Sequence, residues 1–169
     1  PLRESLSLLY RELADYCEAK YSLLTQHTDP EKALPPLLVR QQKAVDLITQ
    51  CYQQMHMLSA QNNTDYKRML RIFQEALDLQ EHISVSLHQP EEVQKLVERS
   101  HAEEVIRWNA QTVAARLRVL ADDILYHRLP TRFTMEKQIG ALEKIARQHP
   151  DNPVGQFCYW HFSRIARVL

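Results

Sequence analysis

Between His101 and Arg128 the apolar residues Ile106, Ala110, Val113, Leu117, Leu120 and Ile124 are separated by steps of four, three, four, three and four. At 3.6 residues per turn this spacing places all six on one stripe of a single helix, a heptad seam lasting about five turns. Arg107, Gln111, Arg118 and Asp122 fall on the opposite side and favour water. A helix of this kind cannot bury its stripe alone, so the rest of the chain must supply facing helices. The predicted fold is all-α, an antiparallel bundle of about six helices built around this segment as a single domain over residues 1–169.

Composition supports that class. The 169-residue chain is long enough for one domain with a real core. It has only two glycines, Gly140 and Gly155, which disfavours hairpins, phosphate-binding loops and dinucleotide folds. Twenty-one basic residues balance 21 acidic ones, and a nucleic-acid binder would show a basic excess. Cys17, Cys51 and Cys158 are far apart and odd in number, so they read as buried, reduced thiols. No apolar run approaches the roughly 20 residues that span a bilayer, and no signal peptide opens the chain. The piece is therefore expected to be soluble. It begins at Pro1 and stops within a helical run, and we expect it to be excised from a longer protein.

The eight prolines punctuate the chain at 1, 30, 35, 36, 90, 130, 150 and 153. A first helix is predicted over 2–26, with Leu2, Leu6, Leu9, Leu13, Tyr16, Leu23 and Leu24 inward. Residues 27–36 read as a connection in which Asp29 and Pro30 start one short turn. A second helix is predicted from Pro35 or Pro36 to Ser59, with Leu38, Val45, Ile48, Cys51 or Tyr52, Met55 and Leu58 as its stripe. After the polar break at 61–65, a third helix over 65–87 buries Tyr66, Met69, Leu70, Phe73, Leu77, Ile83 and Leu87. The sequon Asn62-Asn63-Thr64 carries no weight in a chain expected to be cytosolic. His88-Gln89-Pro90 ends the third helix and Pro90 starts another, with Val93, Leu96 and Val97 inward. Ser100-His-Ala-Glu103 then reads as a capping box at which the chain kinks or restarts, or else runs through. Leu129-Pro130-Thr131 closes the heptad helix. A segment over 131–148 buries Phe133, Ile139, Leu142 and Ile145, and its Gly140 is unfavourable unless a neighbouring helix approaches closely there. Asn152 and Pro153 open the last helix, which contains Phe157, Cys158, Tyr159, Trp160 and Phe162.

Reactive constellations are sparse. Glu98-x-x-His101 has the spacing of one di-iron half-motif, but it occurs once and beside a helix break, so it reads as an exposed pair. Asp78 with His82, and Asp123 with His127, read as ordinary helix-surface pairs. No nucleophile has a readable partner, and the predicted metal, cofactor and catalytic assignments are none. Arg107, Arg116 and Arg118 are the cations that could hold an anionic ligand, with Arg107 and Arg118 as candidate ligand contacts. Glu103 with Arg107, and Arg118 with Asp122, suggest instead a salt-laced solvated face. In the last helix Phe157, Trp160, His161, Ile165 and Val168 fit one broad inward face. Tyr159 and Phe162 then lie at its edges or outside, as a candidate interface.

The stretches Leu8-Leu-Tyr-Arg-Glu-Leu-Ala-Asp-Tyr-Cys17, Leu129-Pro-Thr-Arg-Phe-Thr-Met-Glu-Lys137 and Asn152-Pro-Val-Gly-Gln-Phe-Cys-Tyr-Trp160 resemble the fusaric-acid-resistance-like (FUSC-like) family, in its YccS and YhfK type of bacterial inner-membrane protein. The resemblance covers essentially the whole chain. It rests on overall similarity, so it transfers no site residue. It implies two membrane-helix bundles in the parent, each followed by a soluble region, this chain being the region after the first. Relatives export aromatic carboxylic acids. The implied role is a cytoplasmic domain of an inner-membrane efflux transporter that acts in assembly or regulation. Its implied partners are the membrane-spanning regions of the same polypeptide, with self-association as a further contact. Two other readings stand beside it: a ligand-sensing helical domain for a small aromatic acid, and a metal-dependent helical-bundle enzyme.

Overall fold

The computed structural model describes residues 1–61, 64–85 and 89–169. The expected contributions of Asn62, Asn63, Leu87 and His88 lie outside the described residues. Among the described residues seven α-helices follow one another: α1 (Leu2–Thr25), α2 (Pro30–Leu58), α3 (Thr64–Ile83), α4 (Pro90–Arg99), α5 (Glu103–Leu125), α6 (Glu136–Gln148) and α7 (Pro153–Val168). A single 3₁₀ turn, Ser59–Gln61, follows α2. Helix holds more than three quarters of the described residues and no strand occurs among them.

Two helices share the centre. In α5, five of the six seam residues are buried and Leu120 is half-buried. Its principal partner is α1, which packs also on α2, α3 and α4 and is therefore buried over most of its circumference. A second stripe, Tyr10, Ala14, Cys17 and Tyr21, accompanies its predicted one. The helices run antiparallel. Arg3 Nη1 donates to Ile124 O at 3.4 Å, Arg11 pairs with Asp122, Arg118 with Asp15 and Glu18, and Arg107 Nη2 reaches Thr25 O at 3.4 Å. This ladder replaces the expected pairs within α5, Glu103 with Arg107 and Arg118 with Asp122. Arg118 and Asp122 find opposite charges on the flank of α1, and Arg107 finds a backbone carbonyl. On α2, Gln50 donates to Ser5 Oγ while Lys43 and Arg40 reach Glu12, so α2 is also antiparallel to α1. Tyr10 donates to Ile72 O and Lys20 to Ile83 O, so α3 runs parallel to α1.

Several boundaries differ from expectation. α2 starts at Pro30, where the Asp29 carboxylate accepts from Glu31 N, and it continues through Pro35 and Pro36. Each proline removes a donor from the carbonyl four residues earlier. Both prolines are exposed, and the residues bearing those carbonyls, Glu31 and Lys32, face water that can serve them. The α2 register is also turned by one residue at its start: Leu37 and Ala44 are buried, whereas Leu38 and Val45 are exposed. On α3, Ala76 and Leu79 face inward and Leu77 does not. The segment 129–135 is non-helical, and α6 begins at Glu136 with Phe133 and Ile139 only half-buried.

The capping box does not form. Ser100 Oγ instead donates back to Leu96 O and Val97 O, closing α4, and the chain restarts at Glu103. His101 takes a left-handed φ of 53°, and Ala102 N bonds Val97 O at 3.1 Å. The same stop ends α5: His127 has φ 57° and Arg128 N bonds Asp123 O at 2.8 Å. These are Schellman stops, which usually employ glycine. In a chain with so few glycines, histidine fills the position.

Gly140 has nothing within 4 Å of where a Cβ would sit. The close approach is at Gly155, whose Cβ would lie 3.0 Å from the backbone N and Cα of Ala146. That contact holds α6 and α7 as a tight pair.

Candidate functional site

Arg107 and Arg118 both project from α5 but are not brought together. Eleven residues of helix separate them, about 16 Å along the axis. Arg118 lies between two carboxylates: Nη2 to Asp15 Oδ1 at 2.7 Å, Nη1 to Glu18 Oε1 at 2.9 Å and Nη2 to Glu18 Oε2 at 3.0 Å. These bonds hold its guanidinium well above its ordinary pKa and occupy the donors a ligand would need. Arg107 borders a small hollow of about 150 Å³ with Glu18, Tyr21 and Gln111, and its Nε is buried without a partner.

The arginine best placed for a ligand is Arg116. Its residue is buried, with Nη2 donating to Thr131 O at 2.8 Å and the guanidinium 5.1 Å from the Phe133 ring centre. Burial pulls its pKa down, and the neighbouring Asp123 partly restores it. Arg116 lines a cleft of about 450 Å³ between α1, α3, α5 and α7. Tyr10, Ile72, Leu79 and Ile124 form apolar wall, and Arg68, Arg71 and Arg128 stand at its polar margin. Asp123 carries one oxygen, Oδ1, to Arg128 Nε at 3.1 Å, while its buried Oδ2 and Arg116 Nε have no partner. The cleft therefore offers a donor and an acceptor beside an apolar surface.

Where α1, α3 and α7 meet, buried polar groups gather that the residue pattern did not single out. Lys20 is buried and donates to Ile83 O and, at 2.6 Å, to Val85 O, which caps the C-terminal end of α3. Burial lowers its pKa to about 8. A signal was present: Lys20 follows Leu2, Leu6, Leu9, Leu13 and Tyr16 at the same three-four spacing, so a charge stands on an apolar stripe. Beside it His161 is buried with Nε2 unpartnered, and burial, followed by the field of Lys20, lowers its pKa to about 4. The three thiols are buried and free; burial pushes each up to about 12, so they stay protonated and inert at neutral pH.

The α7 assignment is corrected. Phe162 is fully buried and packs in a tilted arrangement on Tyr21 with ring centres 4.7 Å apart, so it cannot be surface. Tyr159 is half-buried at the edge. Phe157 and Trp160, expected inside, are 39% and 51% exposed, and Val168 is half-buried. The middle of the helix, residues 157–162, is aromatic or apolar nearly all round, so large side chains alone do not select its face there; contact with Tyr21 of α1 does.

Among the described residues no three His, Cys, Asp or Glu side chains gather as a metal-binding group. His101 stands in its left-handed helix stop with Glu98 exposed beside it, Asp78 is exposed near a half-buried His82, and Asp123 pairs with Arg128, not His127.

The family model described as FUSC-like inner membrane protein yccS matches residues 1–169. The chain belongs to the FUSC-like family. No solved structure matches it. The stretches that carry the FUSC-like resemblance are structural ones: the middle of α1, the connection into α6, and the Asn152 cap with the first turns of α7, where Asn152 Oδ1 accepts from Val154 N at 3.1 Å. FUSC-like proteins are inner-membrane proteins, yet among the described residues no helix is long and apolar enough to cross a membrane.

Proposed function

We propose that this chain is the cytoplasmic assembly or regulatory domain of an inner-membrane efflux protein, with no reaction of its own. The observation that carries this reading is the outer side of α2. Only five of its 29 residues are buried, while Leu38, Val39, Val45, Tyr52 and Met57 are exposed. A row of large apolar side chains along one helix is the surface of an element that another part of the assembly covers. The efflux role and the aromatic-acid substrate class come from the family resemblance. In the full-length protein, Leu38→Ser, Val45→Ser and Tyr52→Ser together should reduce assembly in detergent and export of aromatic acids. The isolated chain should keep its melting temperature to within a few degrees. Unchanged assembly and export in the triple variant would refute the proposal.

A second reading, ligand sensing, has one observation in its favour: the buried Arg116, with an unpartnered Nε, in a cleft large enough for a small aromatic acid. A thermal-shift series with benzoate-type acids tests it. Stabilisation that rises with ligand and weakens in Arg116→Lys supports a sensor; no shift at millimolar acid rejects it.

A further inference from the structure

We propose that the solvent side of α7 is a docking face for an anionic membrane surface. Every exposed residue of this helix lies on one side: Pro153, Gln156 and Phe157, Trp160, Arg164 and Arg167, one or two residues in each turn. α7 carries two arginines and no acidic residue, in a chain whose charges as a whole balance. Asp151 stands before the first turn, at the end remote from the arginines. The exposed aromatics are held in place and not merely left over. Phe157 stacks on the buried His161 ring with centres 5.5 Å apart, and the Arg164 guanidinium lies 3.5 Å from the Trp160 ring centre.

Charge complementarity selects the occupant. A face of two aromatics followed by two arginines presents the amphipathic indole of Trp160 at headgroup depth, the apolar ring of Phe157 beside it, and planar donors that pair with phosphate oxygens. Anionic headgroups attract each cation near the surface. The arginines lie towards the helix C-terminus, where the macrodipole stabilises positive charge. The inner-membrane location of the FUSC-like family puts such a surface within reach, and this inference rests on that location, not on the assembly role of α2.

The chain has two tryptophans, so a Trp108→Phe background leaves Trp160 as the sole indole. With phosphatidylcholine vesicles containing about a third phosphatidylglycerol, the protein should float with the lipid and Trp160 emission should shift to the blue. Phosphatidylcholine alone should do neither. Arg164→Glu with Arg167→Glu should lower partitioning by about tenfold or more. Phe157→Ser with Trp160→Ser should do the same by flotation, with helical circular dichroism unchanged because both side chains are on the surface. Reversing two exposed cations elsewhere, Lys67→Glu and Arg132→Glu, should alter partitioning by less than about twofold. Absence of binding to the anionic vesicles overturns the proposal, as does equal binding to neutral ones or an equal loss in the Lys67 and Arg132 control. A Trp160 shift with polyglutamate but not with anionic vesicles also overturns it, and assigns the face to an acidic protein segment.

Discussion

The two glycines have opposite roles, which only their neighbours distinguish. At Gly140 a methyl group meets empty space, so Gly140→Ala removes a helix-weakening residue and should stabilise the protein by about 0.5–1 kcal/mol. At Gly155 the methyl meets the backbone of Ala146, which cannot rotate away, so Gly155→Ala should cost about 1–3 kcal/mol. Urea denaturation of the two variants checks the pair, and equal effects would place the α6–α7 contact elsewhere. His161 supplies a pH dependence. Its folded pKa is about 4, below the ordinary 6.5, so the unfolded chain takes up the proton first as pH falls. Its contribution is complete above about pH 6.5 and is lost between there and about pH 4, on the order of 3 kcal/mol in all. His161→Gln should flatten the dependence of melting temperature on pH across that window. Phe162 and Trp160 are two residues apart, yet one is core and the other surface. Both are large and apolar, so residue type alone carries no information on which is which.

At the scale of the element, helix ends account for most departures from expectation. A proline pair removes two donors and so favours a boundary, but exposed carbonyls in water tolerate the loss and α2 continues through it. Ser100 has the spacing of a helix opener yet closes a helix, because its hydroxyl reaches the carbonyls behind it. The left-handed stops at His101 and His127 carry backbone strain that glycine lacks. His101→Gly and His127→Gly should each raise stability by about 0.5–1 kcal/mol, seen as a higher urea midpoint with an unchanged slope. The end of α3 depends on a side chain 63 residues earlier in the chain, the Lys20 ammonium on Ile83 O. Lys20→Met keeps the stem but removes the donor and should cost about 1–3 kcal/mol. Amide exchange should speed up in the last turn of α3, while exchange in α6 changes only as much as global stability does.

At the scale of the molecule, α1 joins the parts: it packs on α2, α3, α4 and α5. We therefore expect the chain to unfold as one unit, with tryptophan fluorescence and far-ultraviolet circular dichroism giving coincident transitions. Two separated transitions would divide it into more than one domain. The all-helical class, most of the helices and the seam of α5 were legible in the sequence, because backbone hydrogen bonds within a helix are local and a 3.6-residue period leaves its trace in which residues are apolar. The seven large side chains assigned inward on α1 are all buried for the same reason. The family, too, was legible as overall similarity. The candidate site was not. Arg107 and Arg118 look equivalent to Arg116 on paper, and only the position of α1 neutralises Arg118 with Asp15 and Glu18 while the segment after α5 encloses Arg116. Which face α7 buries, and whether Gly140 or Gly155 meets a backbone, depend on contacts between residues far apart in the chain. Local periodicity determined which segments are helices; the packing of those helices against one another decided which of their side chains remain available to a ligand, a partner or a membrane.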